Sequence, residues 1–149
     1  MRTVVPSVAV AIFVSALAAC TDDPRFPADY ASTYTEVRNC RRSADHDLHY
    51  IRVLADPDAL APYRDRTAAF PVGSIVLKEE YDFTDGDCTG ELLEWTVMQK
   101  TDSPARLGWD WQRVDADRSI KSDNSSLCFN CHSNCTPDMN GYDSTCATP

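Results

Sequence analysis

The chain has 149 residues, 43% of them hydrophobic, with a formal net charge of −9 and an isoelectric point near 4.6. That length supports one domain with a modest core rather than two. The acidic balance argues against nucleic acid as a partner and against attraction to anionic lipid.

Arg2 forms a thin positive start to an apolar stretch from Val4 to Ala19, which ends in Leu17-Ala18-Ala19-Cys20. The pattern resembles a bacterial lipoprotein signal and implies cleavage before Cys20, with diacylglycerol on its sulfur. The apolar run is short for a membrane span, so the expected anchor is lipid alone. The mature protein is then expected in the cell envelope of a bacterium, facing the periplasm or the cell exterior. Ordinary secretion with cleavage nearby is the alternative. Residues 1–19 are read as the signal, 20–29 as a lipidated tether and linker carrying Pro24 and Pro27, and 30–149 as one domain. Arg2 is the signal's only charge, so its removal makes the mature chain one unit more negative.

Tyr30, Tyr34, Val37 and Arg41 recur at helical spacing and predict an amphipathic helix from Tyr30 to Arg42. His46 and His49 fall in a polar segment and are expected at the surface. His49 to Leu54 alternates weakly as a strand, and Asp56-Pro57 then supplies an N-cap and first-turn proline for a short helix to about Arg64. A turn at Pro71-Val72-Gly73 leads into a strand from Ser74 to Tyr81. Asp85-Gly86 and Thr89-Gly90 mark a hairpin loop whose return strand is Glu91 to Lys100. Leu107 to Val114 is a further strand with Trp109 and Trp111 on one face. The polar stretch from Asp115 to Ser126 reads as a crossing loop, with Ser125 or Ser126 as the cap of a last helix.

That helix carries Cys128-Phe129-Asn130-Cys131-His132, and Cys-x-x-Cys-His is the spacing that attaches a c-type haem. On a helix, Cys128 and Cys131 share a face at i and i+3, where each can add to a haem vinyl group. His132 can turn its imidazole onto the iron as the proximal ligand. One covalent haem c per chain is the expected cofactor. Cys128, Cys131, His132 and Cys135 would also suit a structural zinc ion, which makes a zinc-stapled lipoprotein the bland alternative. The export signal favours haem, which is attached after export. With Cys20 assigned to lipid and Cys128 and Cys131 to haem, Cys40, Cys88, Cys135 and Cys146 remain. Four cysteines permit three connectivities, of which Cys40 with Cys88 and Cys135 with Cys146 is favoured. The first closes a long loop worth roughly 4 kcal/mol and the second a short one worth about 3 kcal/mol, clamping the tail behind the haem helix.

The run from Phe70-Pro71-Val72-Gly73-Ser74 through Ile75-Val76-Leu77-Lys78-Glu79-Glu80-Tyr81, then Trp95-Thr96-Val97-Met98, and a late Cys-x-x-Cys-His together resemble the cytochrome P-460 family. The resemblance extends from about Tyr30 to Cys146. It implies an α+β fold, a mainly antiparallel β-sheet with flanking helices, often paired as a homodimer, with a single c-type haem. It also implies one of two activities: oxidation of hydroxylamine or nitric oxide, or the binding of diatomic gases without turnover, as in the related cytochrome c-prime-beta. Either needs a small nitrogen-containing molecule or gas, and a redox partner that the sequence does not identify.

With His132 proximal, the remaining candidates for the far side of the iron are His46, His49, Met98 and Met139, none of which must bind. Met98 is most simply a core residue and Met139 a tail residue packed near the haem edge. An iron with an open distal side is therefore expected, which suits small-molecule chemistry. Family enzymes bond a lysine to the haem ring, and the resemblance points to Lys78, with Lys100 second. Such a lysine must be buried enough to be neutral. Alternation places Lys78 with Val76, opposite Ile75 and Leu77. A carboxylate base would also be needed for hydroxylamine oxidation; Glu79, Glu80, Glu91, Glu94 and Asp102 lie near suitable strands, and the sequence does not choose among them.

Overall fold

A computed structural model describes residues 23–149, so the signal segment and Cys20 lie outside the described residues. Six strands form one sheet in sequence order, each antiparallel to its neighbours. They are β1 (Thr35–Arg42), β2 (Tyr50–Ala55), β3 (Ile75–Tyr81), β4 (Leu92–Lys100), β5 (Trp109–Asp115) and β6 (Ile120–Asp123). Among the described residues three α-helices flank it: α1 (Tyr30–Thr33), α2 (Pro57–Asp65) and α3 (Ser126–His132). The α+β class with a mainly antiparallel sheet is the one the sequence predicts.

The central strands β3 and β4 are buried over much of both faces, although they carry Lys78, Glu79, Glu80 and Glu94 among their apolar residues, so each of those charges needs a partner. Between β2 and β3, α2 opens where Asp56 accepts a hydrogen bond from Ala59 N at 2.7 Å, with Pro57 in its first turn. Gly73, at φ +94°, turns the chain into β3 with a conformation that a side chain would strain.

Two expectations are corrected. The helix predicted over Tyr30 to Arg42 is one turn long, and Tyr34 is already extended at φ −92°, ψ 151°. From Thr35 the chain pairs with β2, running from Thr35 opposite Ala55 to Arg42 opposite Tyr50. Pairing with an exposed sheet edge satisfies every second backbone group over eight residues, and the β-branched Thr33, Thr35 and Val37 add little to a competing helix. The tyrosines that suggested the helix instead lie against the sheet, Tyr30 with Trp95 at 5.9 Å and with Phe26 at 5.3 Å between ring centroids. The crossing loop is likewise interrupted by β6, a four-residue edge strand whose Asp123 pairs with Gln112. Its side chains are mostly polar, so it carries no hydrophobic alternation; backbone pairing alone makes it a strand.

The sheet has an apolar layer on each side. On one face, Phe26, Tyr30 and Tyr34 cover Ile75, Leu77, Trp95, Val97 and Val114. On the other, Val53, Val76, Met98, Trp109 and Trp111 meet α2 through Ala59 and Tyr63, and α3 through Cys128 and Phe129. Two disulfides close the structure, Cys40 with Cys88 and Cys135 with Cys146.

Candidate functional site

Between the second face of the sheet and α3 lies a cavity of about 520 Å³, within the size range of small-molecule and cofactor sites. Ser125 caps α3, its hydroxyl accepting from Leu127 N at 3.3 Å. One turn on, Cys128 is packed against the core and Cys131 is exposed; both are free thiols, and both line the cavity with His132.

His132 is held in one orientation. Its Nδ1 lies 2.7 Å from the carbonyl oxygen of Ser144, which can only accept, so Nδ1 carries the proton and Nε2 keeps its lone pair. Burial pushes its pKa below the usual histidine value against the opposing pull of that carbonyl, which keeps the ring neutral. Trp111 packs edge-on at 4.6 Å between ring centroids. The tail that delivers Ser144 is itself anchored. Cys146 is tied to Cys135, Lys100 Nζ reaches Asp143 at 2.8 Å, and Trp109 Nε1 donates to the Asp143 carbonyl at 2.9 Å. Gly141 passes so close to Cys135 that a Cβ there would collide with its backbone.

The sheet side of the cavity is charged. Lys78 extends from β3 with its Nζ 2.7 Å from Glu80 Oε1 and 2.7 Å from His46 Nδ1. Burial lowers the Lys78 pKa, against the charge of Glu80. Burial alone would raise that of Glu80, but the Lys78 ammonium beside it, by its charge and its hydrogen bond, draws it below the usual carboxylate range. Burial, and then the nearby Lys78 charge, push His46 down to about 4, so it is a neutral base. On β4, opposite Glu80 in register, Glu94 is held by Arg113 through two hydrogen bonds of 2.8 Å.

Of the residues singled out in the sequence, Lys78, Glu80, Glu94, His46 and Met98 meet Cys128, Cys131 and His132 at this cavity. His46 corrects the surface expectation: the loop after β1 folds back through Asp47 at φ 51° and Leu48 at φ 64°, conformations no periodicity signals. His49 stops short, 3.5 Å behind Glu80. Met139 is 69% exposed and lines a smaller hollow beside Cys131 and Cys135. Glu79 faces the other side of the sheet, and Glu91 and Asp102 are exposed. Lys100 is spent on Asp143 above the Trp109 ring, which leaves Lys78 as the lysine at the cavity. Sequence reasoning missed the Ser144 carbonyl, a backbone atom without any side-chain signature, and did not single out Arg38 and Arg113, which also line the cavity.

Residues 27–139 match the family described as Cytochrome P460. The chain belongs to the cytochrome P460 family. No curated protein matches it. The match takes in the cavity floor and α3 and stops at Met139, so the segment that orients His132 through Ser144 lies beyond it. A cytochrome P460 implies a haem cofactor, and the cavity fits one: two unpaired thiols one helical turn apart, a neutral imidazole with Nε2 free, and space of cofactor size. The zinc alternative loses a ligand, because Cys135 is committed to Cys146.

Proposed function

We propose that this cytochrome P460 is an exported c-type cytochrome with one haem, bonded through Cys128 and Cys131 and ligated by His132, which acts on a small nitrogen compound such as hydroxylamine or nitric oxide. The observation that carries the reading is the pinned tautomer of His132, with Nε2 unprotonated on the same helix turn as two free thiols. Each thiol would add across a vinyl double bond, its sulfur to one carbon and its hydrogen to the other, without net oxidation. When bound, haem would supply an iron centre that binds a small molecule and exchanges electrons.

The remaining work falls to the chain. Nδ1–H of His132 donates to Ser144 and so strengthens the imidazole as a ligand. Glu80 and the neutral His46 stand ready to accept protons at the cavity, each within reach of Lys78. The apolar side chains of Ile51, Val53 and Met98 limit water in the same space. Export and attachment through Cys20 are part of the proposal, supported by the signal pattern and by two disulfides, which persist in an oxidising compartment.

Gas binding without turnover is a second reading, and one contact favours it. The lysine bond to haem in the family's enzymes needs a free amine lone pair, whereas Lys78 faces Glu80 at ion-pair distance. Burial works the other way, toward the neutral amine. Absorption spectra of the haem-matured protein, oxidised, reduced and denatured, separate these readings. A reduced Soret band shifted far to the red, lost in Lys78→Arg, marks the cross-linked enzyme. An ordinary high-spin c-type spectrum marks the gas-binding branch, and the absence of covalent haem refutes both.

A further inference from the structure

The cavity floor carries three cationic side chains in one cross-strand row. Arg38 stands opposite Val53, Val53 opposite Lys78, Lys78 opposite Thr96, and Thr96 opposite Arg113. Neighbouring strands lie about 4.8 Å apart, so the row spans roughly 19 Å of backbone. Two of the three cations have their counter-ions: Lys78 has Glu80 at 2.7 Å and Arg113 has Glu94 at 2.8 Å. Arg38 lines the same cavity, yet its Nη1 is buried and has no hydrogen-bond partner among the described residues. Leaving a guanidinium nitrogen both dry and unpaired is expensive, which makes this the position that calls for an anion.

The backbone is bent to put it there. In an unbroken strand, Val37 and Arg38 would face opposite sides of the sheet. Here the pairing with β2 slips on both sides of Arg38, and Val37 packs in the cavity-side core while Arg38 lines the cavity. Bulges serve beside binding sites to re-aim a side chain. The neighbouring Tyr63 offers no counter-charge. Its hydroxyl donates to the Ala147 carbonyl at 2.8 Å, and burial pushes its pKa up to about 12.

We propose that Arg38 is a carboxylate-binding residue and that its occupant is a propionate of the haem. The inference rests on the c-type haem reading and adds to it the residue that neutralises the cofactor's acidic edge. A guanidinium receives a carboxylate through two parallel hydrogen bonds, a geometry that lysine cannot reproduce. A free carboxylate in the cavity would use the same chemistry, so the test has to separate the two.

The test uses holoprotein matured with haem whose propionate carboxyl carbons are ¹³C-labelled, as wild type, Arg38→Met and Arg38→Lys. Infrared redox-difference spectra and midpoint potentials are recorded, with haem content and circular dichroism on the same samples. One labelled carboxylate band should lie away from the solvent-exposed position in wild type, return to it in Arg38→Met and fall between in Arg38→Lys. The midpoint potential should drop in Arg38→Met, because a positive charge near the iron is gone. Full haem content with the band unmoved in Arg38→Met overturns the Arg38 assignment and leaves the haem reading intact. Acetate that perturbs the visible spectrum of wild type but not of Arg38→Met, with the propionate bands unmoved, makes a free carboxylate the occupant and also overturns it. Wild type without covalent haem overturns the haem reading, and this inference with it. If Arg38→Met fails to fold, Arg38→Lys alone carries the band comparison.

Discussion

Glu79 and Glu80 are neighbours on β3, 2% and 4% exposed, and they point to opposite faces of the sheet. Glu79 is saturated: it accepts from Tyr30 at 2.6 Å, from Tyr81 at 3.0 Å and from Arg52 at 2.7 Å. Every partner there is fixed, and Trp95 completes the set by donating to Tyr30 at 3.0 Å. Glu80 instead shares Lys78 with His46 and meets His49 at 3.5 Å, in a cavity large enough for a cofactor. One buried carboxylate thus serves as a structural lock and the adjacent one as part of an adjustable charge cluster. Satisfied polar networks rigidify a core, whereas partly satisfied ones leave room for a ligand or a proton.

The sharpest way to break that comparison is Glu79→Ala. It removes the buried carboxylate that accepts from Arg52 and from two tyrosine hydroxyls, and should cost about 3 kcal/mol, seen as a lower urea midpoint. The haem spectrum of the molecules that remain folded should be unchanged, because Glu79 does not reach the cavity. Replacing both Cys135 and Cys146 with serine should cost a similar amount, about 3 kcal/mol by loop entropy, but here the spectrum should move as well. The tail would no longer hold Ser144 against His132, and the iron–histidine stretching band in resonance Raman should shift and broaden. Gly141→Ala tests the same tail without touching sulfur. The added methyl meets the Cys135 backbone, so a loss of about 2 kcal/mol is expected together with a smaller shift of that band.

The mildest effect is on pH dependence. His46 has its folded pKa lowered to about 4 from an ordinary 6.5, so between these values the unfolded chain binds a proton that the folded one does not. The contribution of His46 to stability is therefore complete above about pH 6.5 and is lost as pH falls toward 4. His132, also lowered, acts in the same direction. His46→Asn should flatten part of this limb in urea titrations across that range and leave stability at pH 7.5 nearly unchanged. A wild-type curve already flat from pH 6.5 to 4 would contradict the half-buried placement of His46 at the cavity.

Local signals in the chain carried much of this architecture. Turn signals, β-branched residues and weak alternation placed β2 through β5, and alternation gave the side of the sheet on which Lys78 lies, because side chains of a strand alternate whatever else surrounds it. Asp56-Pro57 and Ser125 announced their helices through hydrogen bonds made within three residues. The same local reasoning misread β1, where tyrosines spaced for a helix turned out to cover the far face of the sheet. It also passed over β6, whose strand character comes from the partner beside it.

The sequence alone contained the Cys128-Phe129-Asn130-Cys131-His132 spacing, the family's strand pattern and an even remainder of cysteines, all of them properties of residue type and short separation. Tertiary structure decided which groups face those residues. The Ser144 carbonyl on His132, the His46 loop folded onto Lys78 and the unpaired Arg38 re-aimed by slipped pairing each join segments far apart in the chain or depend on backbone twist. Periodicity reports the face on which a side chain lies; only the folded chain sets what stands opposite it, because that depends on loop reach and strand register, which no local pattern encodes.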